Sequence, residues 1–304
     1  MIRRSDGSAI LRMKYKWYIP FLFILPAVLG LFAFRIWPIL TSFVMAFTNW
    51  SAFGSPNFVG LENFEYLFEE GSEFYEILKN TLLYSIIFVP GVMASALGLA
   101  LLVNQKLKSV AFFRVLFFTP VITSTVAIGI VWKWIFATDV GAINFILRSV
   151  FQVSDPPSWM NERSYALLIV AFVYIFKRVG YYMIIYLAGL QDIPGNFKEA
   201  AAIDGANRWQ TFRRIVFPLL TPTTFFILII AIIDSFKNFE IIYAMTKGGP
   251  GLASTTLSYY IYQNAFLVFQ LGYASAISLT LLLVVGIITA LNFYYKDRWV
   301  QYKY

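Results

Sequence analysis

Six long apolar stretches, joined by polar connections, leave this chain few ways to fold. They run from Trp17 to Phe34, resuming after Arg35 as Ile36 to Phe47; from about Ile77 to Val103; Phe112 to Phe136; Ser164 to Leu190; Thr221 to Met245; and Tyr273 to Tyr295. Each is close to or above the ~20 apolar residues that cross a bilayer as a helix. Within lipid, only helices and closed barrels satisfy their own backbone groups. The expected fold class is therefore all-α: a polytopic membrane protein of six transmembrane helices. Composition agrees, with 59% hydrophobic and only 13% charged residues against about 25% charged in soluble domains. Having neither cysteine nor histidine, the chain is excluded from disulfides, thiol catalysis and the usual zinc or haem sites, and no metal or catalytic residue is expected.

Charge placement orients the spans. The amino arm, the turn after the second span, the loop between the fourth and fifth spans and the tail hold 15 of the 24 Lys and Arg. The opposite loops hold nine of the 16 acids, among them the six glutamates between Asn49 and Glu76. By the positive-inside rule the basic set faces the cytoplasm, and both termini with it. Residues 1–16 are read as a basic cytoplasmic arm, 17–299 as the six-helix transmembrane domain, and 300–304 as a cytoplasmic tail. The first span resembles a signal peptide only in its basic flank. It continues past Arg35 without a small-residue cleavage site, so it is expected to be retained.

The basic loop, 191–218, has a design of its own. Ile193-Pro194-Gly195 closes the preceding helix, because proline cannot continue the hydrogen-bond ladder. Asn196 is placed to cap a short alanine-rich helix, with Glu199 in the reciprocal capping-box position. Gly205 supplies the left-handed residue that ends it. A second helical run, Arg208 to Phe217, carries Arg213 and Arg214 and is expected to stop at Pro218. A solvated connection between two spans would look similar in outline.

The spacing is more particular than that. Glu199, Ala200, Ala201, Asp204, Gly205, Ala206, Phe212, Ile215 and Pro218 together resemble the EAA loop of the inner-membrane permeases of binding-protein-dependent ABC importers. The segment KNFEIIYAMTKGGP at 237–250 and GYASA at 272–276 are similar to the carbohydrate-uptake branch, to subunits akin to the larger maltose permease and the glycerol-phosphate permease. The resemblance covers about Trp17 to Trp299 and implies the type I importer fold. It implies that Glu199, Ala200, Ala201, Asp204, Gly205 and Ala206 form a coupling helix seated on an ATPase subunit. The implied partners are a second related permease, an ATPase dimer, an extracytoplasmic binding protein, a carbohydrate and the bilayer of a bacterial or archaeal cytoplasmic membrane, with no nucleic acid. The chain has no G-x-x-x-x-G-K-[ST]. It is expected to be no enzyme and to hold no cofactor, with ATP and Mg bound by the partner.

Charged residues inside the spans are the second informative feature. Lys177 and Arg178 fall in span four, and Asp234, Lys237 and Glu240 in span five. Each would cost about 2.5–3.5 kcal/mol at the bilayer centre if uncompensated. Depth matches Lys177 to Asp234, at ~20 Å and ~18 Å from opposite ends of their spans. Lys237 and Glu240, three residues apart, are expected to pair on one helix face. The resemblance implies instead a translocation path lined by Lys177, Arg178, Tyr181, Tyr182, Asp234, Ser235, Lys237 and Asn238. Rings suit sugar faces there, and amides and hydroxyls suit sugar hydroxyls. Two adjacent cations would favour an acidic or phosphorylated sugar over a neutral one. An ion-coupled secondary transporter, and a scaffold subunit whose partner holds the sugar site, are the alternatives.

Overall fold

The computed structural model describes residues 18–51, 53–105 and 110–301. The amino arm, Lys106 and Lys108, and the last three residues of the tail lie outside the described residues. Among the described residues the fold is helical, with isolated bridges Thr48–Phe58 and Ser51–Gln270 but no strand. Among the described residues five helices are long and apolar enough to cross a membrane, and a bent pair, counted as one span, makes a sixth.

The first span joins α1 (Ile19–Leu31) to α2 (Trp37–Met45) through a π turn at Phe32–Ile36. No residue of α1 or α2 is buried. An all-apolar helix with no buried face belongs against lipid or a neighbouring subunit. After a polar loop and α3 (Glu62–Phe68), the second span is α4 (Glu73–Val103). The third consists of α5 (Val110–Ile122) and α6 (Thr125–Ile135), followed by α7 (Ala142–Ser149) outside it. The fourth is α8 (Arg163–Gln191), and α9 (Gly195–Ile203) lies in the loop after it. A helix beginning at α10 (Arg208–Thr211) runs through a π turn into α11 (Phe217–Lys237) as the fifth span. Short helices α12 (Glu240–Met245) and α13 (Leu257–Tyr262) lead, with a third π turn at Gln263–Leu267, to α14 (Leu271–Tyr295).

The core forms around α4 and α8, with α11 against α4 and α5 against α8. Tyr84, Phe88, Tyr182, Tyr186 and Phe236 are its largest fully buried rings. Gly180 marks a close approach of α8 and α5, since a side chain there would run into the Phe117 carbonyl of α5. Small residues at crossing points let membrane helices touch backbone to backbone.

Four sequence expectations need correction. Pro218 does not stop its helix. The π turn at Phe212–Val216 sets the Phe217 N–H on the Phe212 carbonyl, five residues back, and the helix passes the proline. The wider register accommodates a residue that has no N–H to give. The first span does the same before Pro38, where the Trp37 N–H reaches the Phe32 carbonyl. The third span is not straight: its halves meet at 99° across Thr123-Ser124. The fifth ends at Lys237, where Asn238 turns extended at φ −77° and ψ 113° before α12 begins. Finally, Asn196 is not a cap. It lies inside α9, and the capping box forms instead between Asn207 and Gln210, each side chain on the other's backbone N–H at 2.8–2.9 Å.

Candidate functional site: a polar cavity at mid-span and an exposed loop helix

Both breaks open onto the same place. Lys177 is the central residue of the 29-residue α8, ~21 Å from either end at 1.5 Å per residue. Around it lies a cavity of ≈ 290 Å³, at the lower edge of the about 300–1,000 Å³ common for small-molecule sites. Span four contributes Tyr174, Lys177 and Arg178. Thr125 comes from the start of α6. Asp234, Lys237, Asn238, Phe239 and Glu240 come from the interrupted end of span five.

The pairing differs from the sequence expectation. Arg178, not Lys177, meets Asp234: its guanidinium is hydrogen-bonded to Oδ2 through both Nε, at 3.0 Å, and a terminal nitrogen. The Tyr182 hydroxyl donates to the same oxygen at 2.6 Å. Tyr181 lies under the guanidinium, 4.9 Å from ring centre to Cζ. Lys177 turns the other way and donates to the carbonyls of Thr123 at 2.7 Å and of Pro120 and Val121 at 3.3 Å. Depth along the helix was right, but successive residues point ~100° apart, and azimuth decided the partner. Lys237 and Glu240 do not pair, because the helix breaks between them, and both are exposed at the cavity.

Of the eight residues expected to line the path, Lys177, Arg178, Asp234, Lys237 and Asn238 reach the cavity, and Tyr181 and Tyr182 flank its ion pair. Ser235 does not. Its hydroxyl is buried at 2.8 Å from that of Ser85 and 2.7 Å from the Ile232 carbonyl, fastening α11 to α4. Asn238 is tied to the same helix through the Tyr84 hydroxyl at 2.6 Å. Tyr174, Thr125 and Phe239 escaped the sequence reading. Tyr174 was findable, since residues three and four apart share a helix face and it precedes Lys177 and Arg178 by those intervals.

At the end of α8, α9 stands almost clear of the bundle. Ala201 is its single buried residue, while Ile203 is 86% exposed, Phe197 44% and the neighbouring Trp209 66%. Its C-terminus is a Schellman turn: the Ala206 N–H donates to the Ala201 carbonyl at 2.9 Å and the Gly205 N–H to Ala202 at 3.1 Å. Gly205 has φ +74°, as that motif requires. Glu199, Ala200 and Asp204 are exposed, and Ala206 is half-buried. The helix thus leaves Phe197 and Ile203 uncovered by the bundle.

Residues 91–300 match the family described as binding-protein-dependent transport system inner membrane component. The probable ABC transporter permease protein YesP of Bacillus subtilis (strain 168) is 38% identical over 284 residues, covering 92% of this chain and 91% of the relative. The sn-glycerol-3-phosphate transport system permease protein UgpA of Agrobacterium fabrum is 34% identical, covering 93% and 96%. The arabinooligosaccharides transport system permease protein AraP of Bacillus subtilis (strain 168) is 34% identical, covering 90% and 87%. A chain of a bacterial ABC transporter involved in the import of the acidic polysaccharide alginate superposes with a TM-score of 0.81 at 23% identity, covering 93% of this chain and 96% of that one. That likeness is one of fold.

Proposed function

Because the chain belongs to the family of binding-protein-dependent transport system inner membrane components, we propose that it is the permease subunit of an ATP-driven sugar importer, forming part of the translocation path. The observation that carries this is the polar, charge-lined cavity at the centre of α8, against the largely apolar core of the bundle. Its partners would be a second permease that completes the path, an ATPase dimer beneath α9, and an extracytoplasmic binding protein that delivers the solute. ATP and Mg would be bound by the ATPase. The orientation follows the charge bias, with both termini and α9 on the cytoplasmic side of a cytoplasmic membrane.

The cavity supports a neutral, hydroxyl-rich solute. Arg178 is neutralised by Asp234, and the three donors of Lys177 are taken by carbonyls. One exposed cation and one exposed anion, Lys237 and Glu240, then face the space. The adjacent cations that favoured an acidic or phosphorylated sugar do not act as a pair. Rings of Tyr174 and Phe239 and the amide of Asn238 suit a sugar ring and its hydroxyls.

The docking arm is tested with a single cysteine. The chain has none of its own, so Asp204→Cys gives one reactive site at the end of α9. In membranes from cells making all subunits, a short thiol–amine cross-linker should join it to an ATP-binding subunit. Sugar uptake that persists with no such cross-link would contradict both the assignment and the orientation.

A further inference from the structure

The break between α5 and α6 leaves a helix C-terminus inside the bilayer. Its last carbonyls have no helical donors, and lipid offers no water to replace them. One ammonium group answers three of them. Lys177 Nζ donates to the carbonyls of Pro120, Val121 and Thr123, and the side chain is 6% exposed. One turn further along α8, Gly180 brings the α5 backbone into contact. A cation at a helix C-terminus also meets the negative end of the helix dipole. Carbonyls of an unwound turn and a half-helix end are what broken-helix carriers use to hold a free monovalent ion.

We propose that Lys177 is a positioning residue whose ammonium fills a monovalent-cation site built by the carbonyls of Pro120, Val121 and Thr123. The cation that such a break needs is tethered to the chain. It fixes the 99° bend, sets Thr125 at the cavity, and frees the fold from any coupling ion at this point. Arg178 cannot take over, because Asp234 holds it. The inference does not rest on the identity of the transported solute.

Lys177→Ala removes Cγ through Nζ, the equivalent of one n-propylammonium ion. The complex carrying it is purified in N-methylglucamine chloride and its thermal unfolding is followed during additions at constant ionic strength. It should melt several degrees below the parent complex. Propylammonium or Na⁺ should restore the loss in a saturable way, propanol should not, and the parent should ignore all three. Loss of stability with no cation-dependent recovery, or no loss at all, would overturn the proposal. Should Lys177→Ala not assemble, the comparison passes to Lys177→Arg and Lys177→Met, which are similar in reach. Assembly must then be higher with the cationic side chain, and equal yields would count against the tethered cation.

Discussion

Gly205→Val is expected to leave the permease inserted and assembled while sugar-stimulated ATP hydrolysis falls about tenfold or more, the rate equivalent of ~1.4 kcal/mol. The glycine sits at φ +74°, and nothing lies within 4 Å of where a Cβ would be. Bulk is therefore not the problem; backbone conformation is. The left-handed region costs an L-residue about 1–2 kcal/mol, and a β-branched side chain resists it further. Relief would come by unwinding the Schellman turn, freeing the Ala201 and Ala202 carbonyls and letting Ile203 drift from its exposed position. A graded series separates this from a surface effect. Gly205→Asn, which tolerates the left-handed region, should keep most of the stimulation, Gly205→Ala less, and Gly205→Val least. If Asn is as damaging as Val, the position is sensitive to any side chain at a docking surface and the turn is not the cause. Glu199→Lys, on the exposed face of α9, reverses a charge without touching that turn and should also uncouple if α9 is the docking element.

The second large effect is expected at the ion pair. Arg178→Met alone should reduce assembly, because breaking a fully buried pair costs about 3–5 kcal/mol and this part-buried one costs a share of that. Here it strands Asp234, whose side chain is only 21% exposed. Removing both charges is often neutral. Arg178→Met with Asp234→Leu should therefore restore assembly. Tyr182→Phe belongs in the same combination, since its hydroxyl would lose the acceptor it now meets at 2.6 Å and an unmet buried donor costs about 1–3 kcal/mol. The assembled triple variant, reconstituted with its partners, should still take up a neutral sugar. Uptake lost while assembly is intact would mean that Arg178, Asp234 or the Tyr182 hydroxyl contacts the solute, and would contradict a purely structural ion pair.

Much of this was legible in the residues. The length of the apolar runs outlined the spans, and α4, α8 and α14 begin within a few residues of where those runs begin. Gly205 was readable as a left-handed terminus because few other residues could end a helix there so cheaply. The two breaks were not readable, because neither carries a proline or glycine at the bend and the causes lie on other helices. Thr123-Ser124 bends where Lys177 of α8 collects its carbonyls, and Asn238 turns where Tyr84 of α4 holds its amide. Proline misled for the opposite reason. Pro218 is a strong local stop signal, but a π turn, invisible in composition, carries the helix past it. The cavity charges were found at the right depth and given the wrong partner, since hydropathy reports distance along a helix and not the direction in which a side chain leaves it.

The most direct test is uptake by the purified assembly in proteoliposomes, with ATP inside or outside and the membrane potential and ion gradients under control. The solute is a labelled neutral oligosaccharide, offered on its binding protein. An ATP-driven importer should accumulate the sugar only when ATP is on the side of α9, stop with vanadate, and be indifferent to ionophores. Accumulation driven by an ion gradient without ATP would make the chain a secondary transporter, and would contradict the docking of an ATPase on α9.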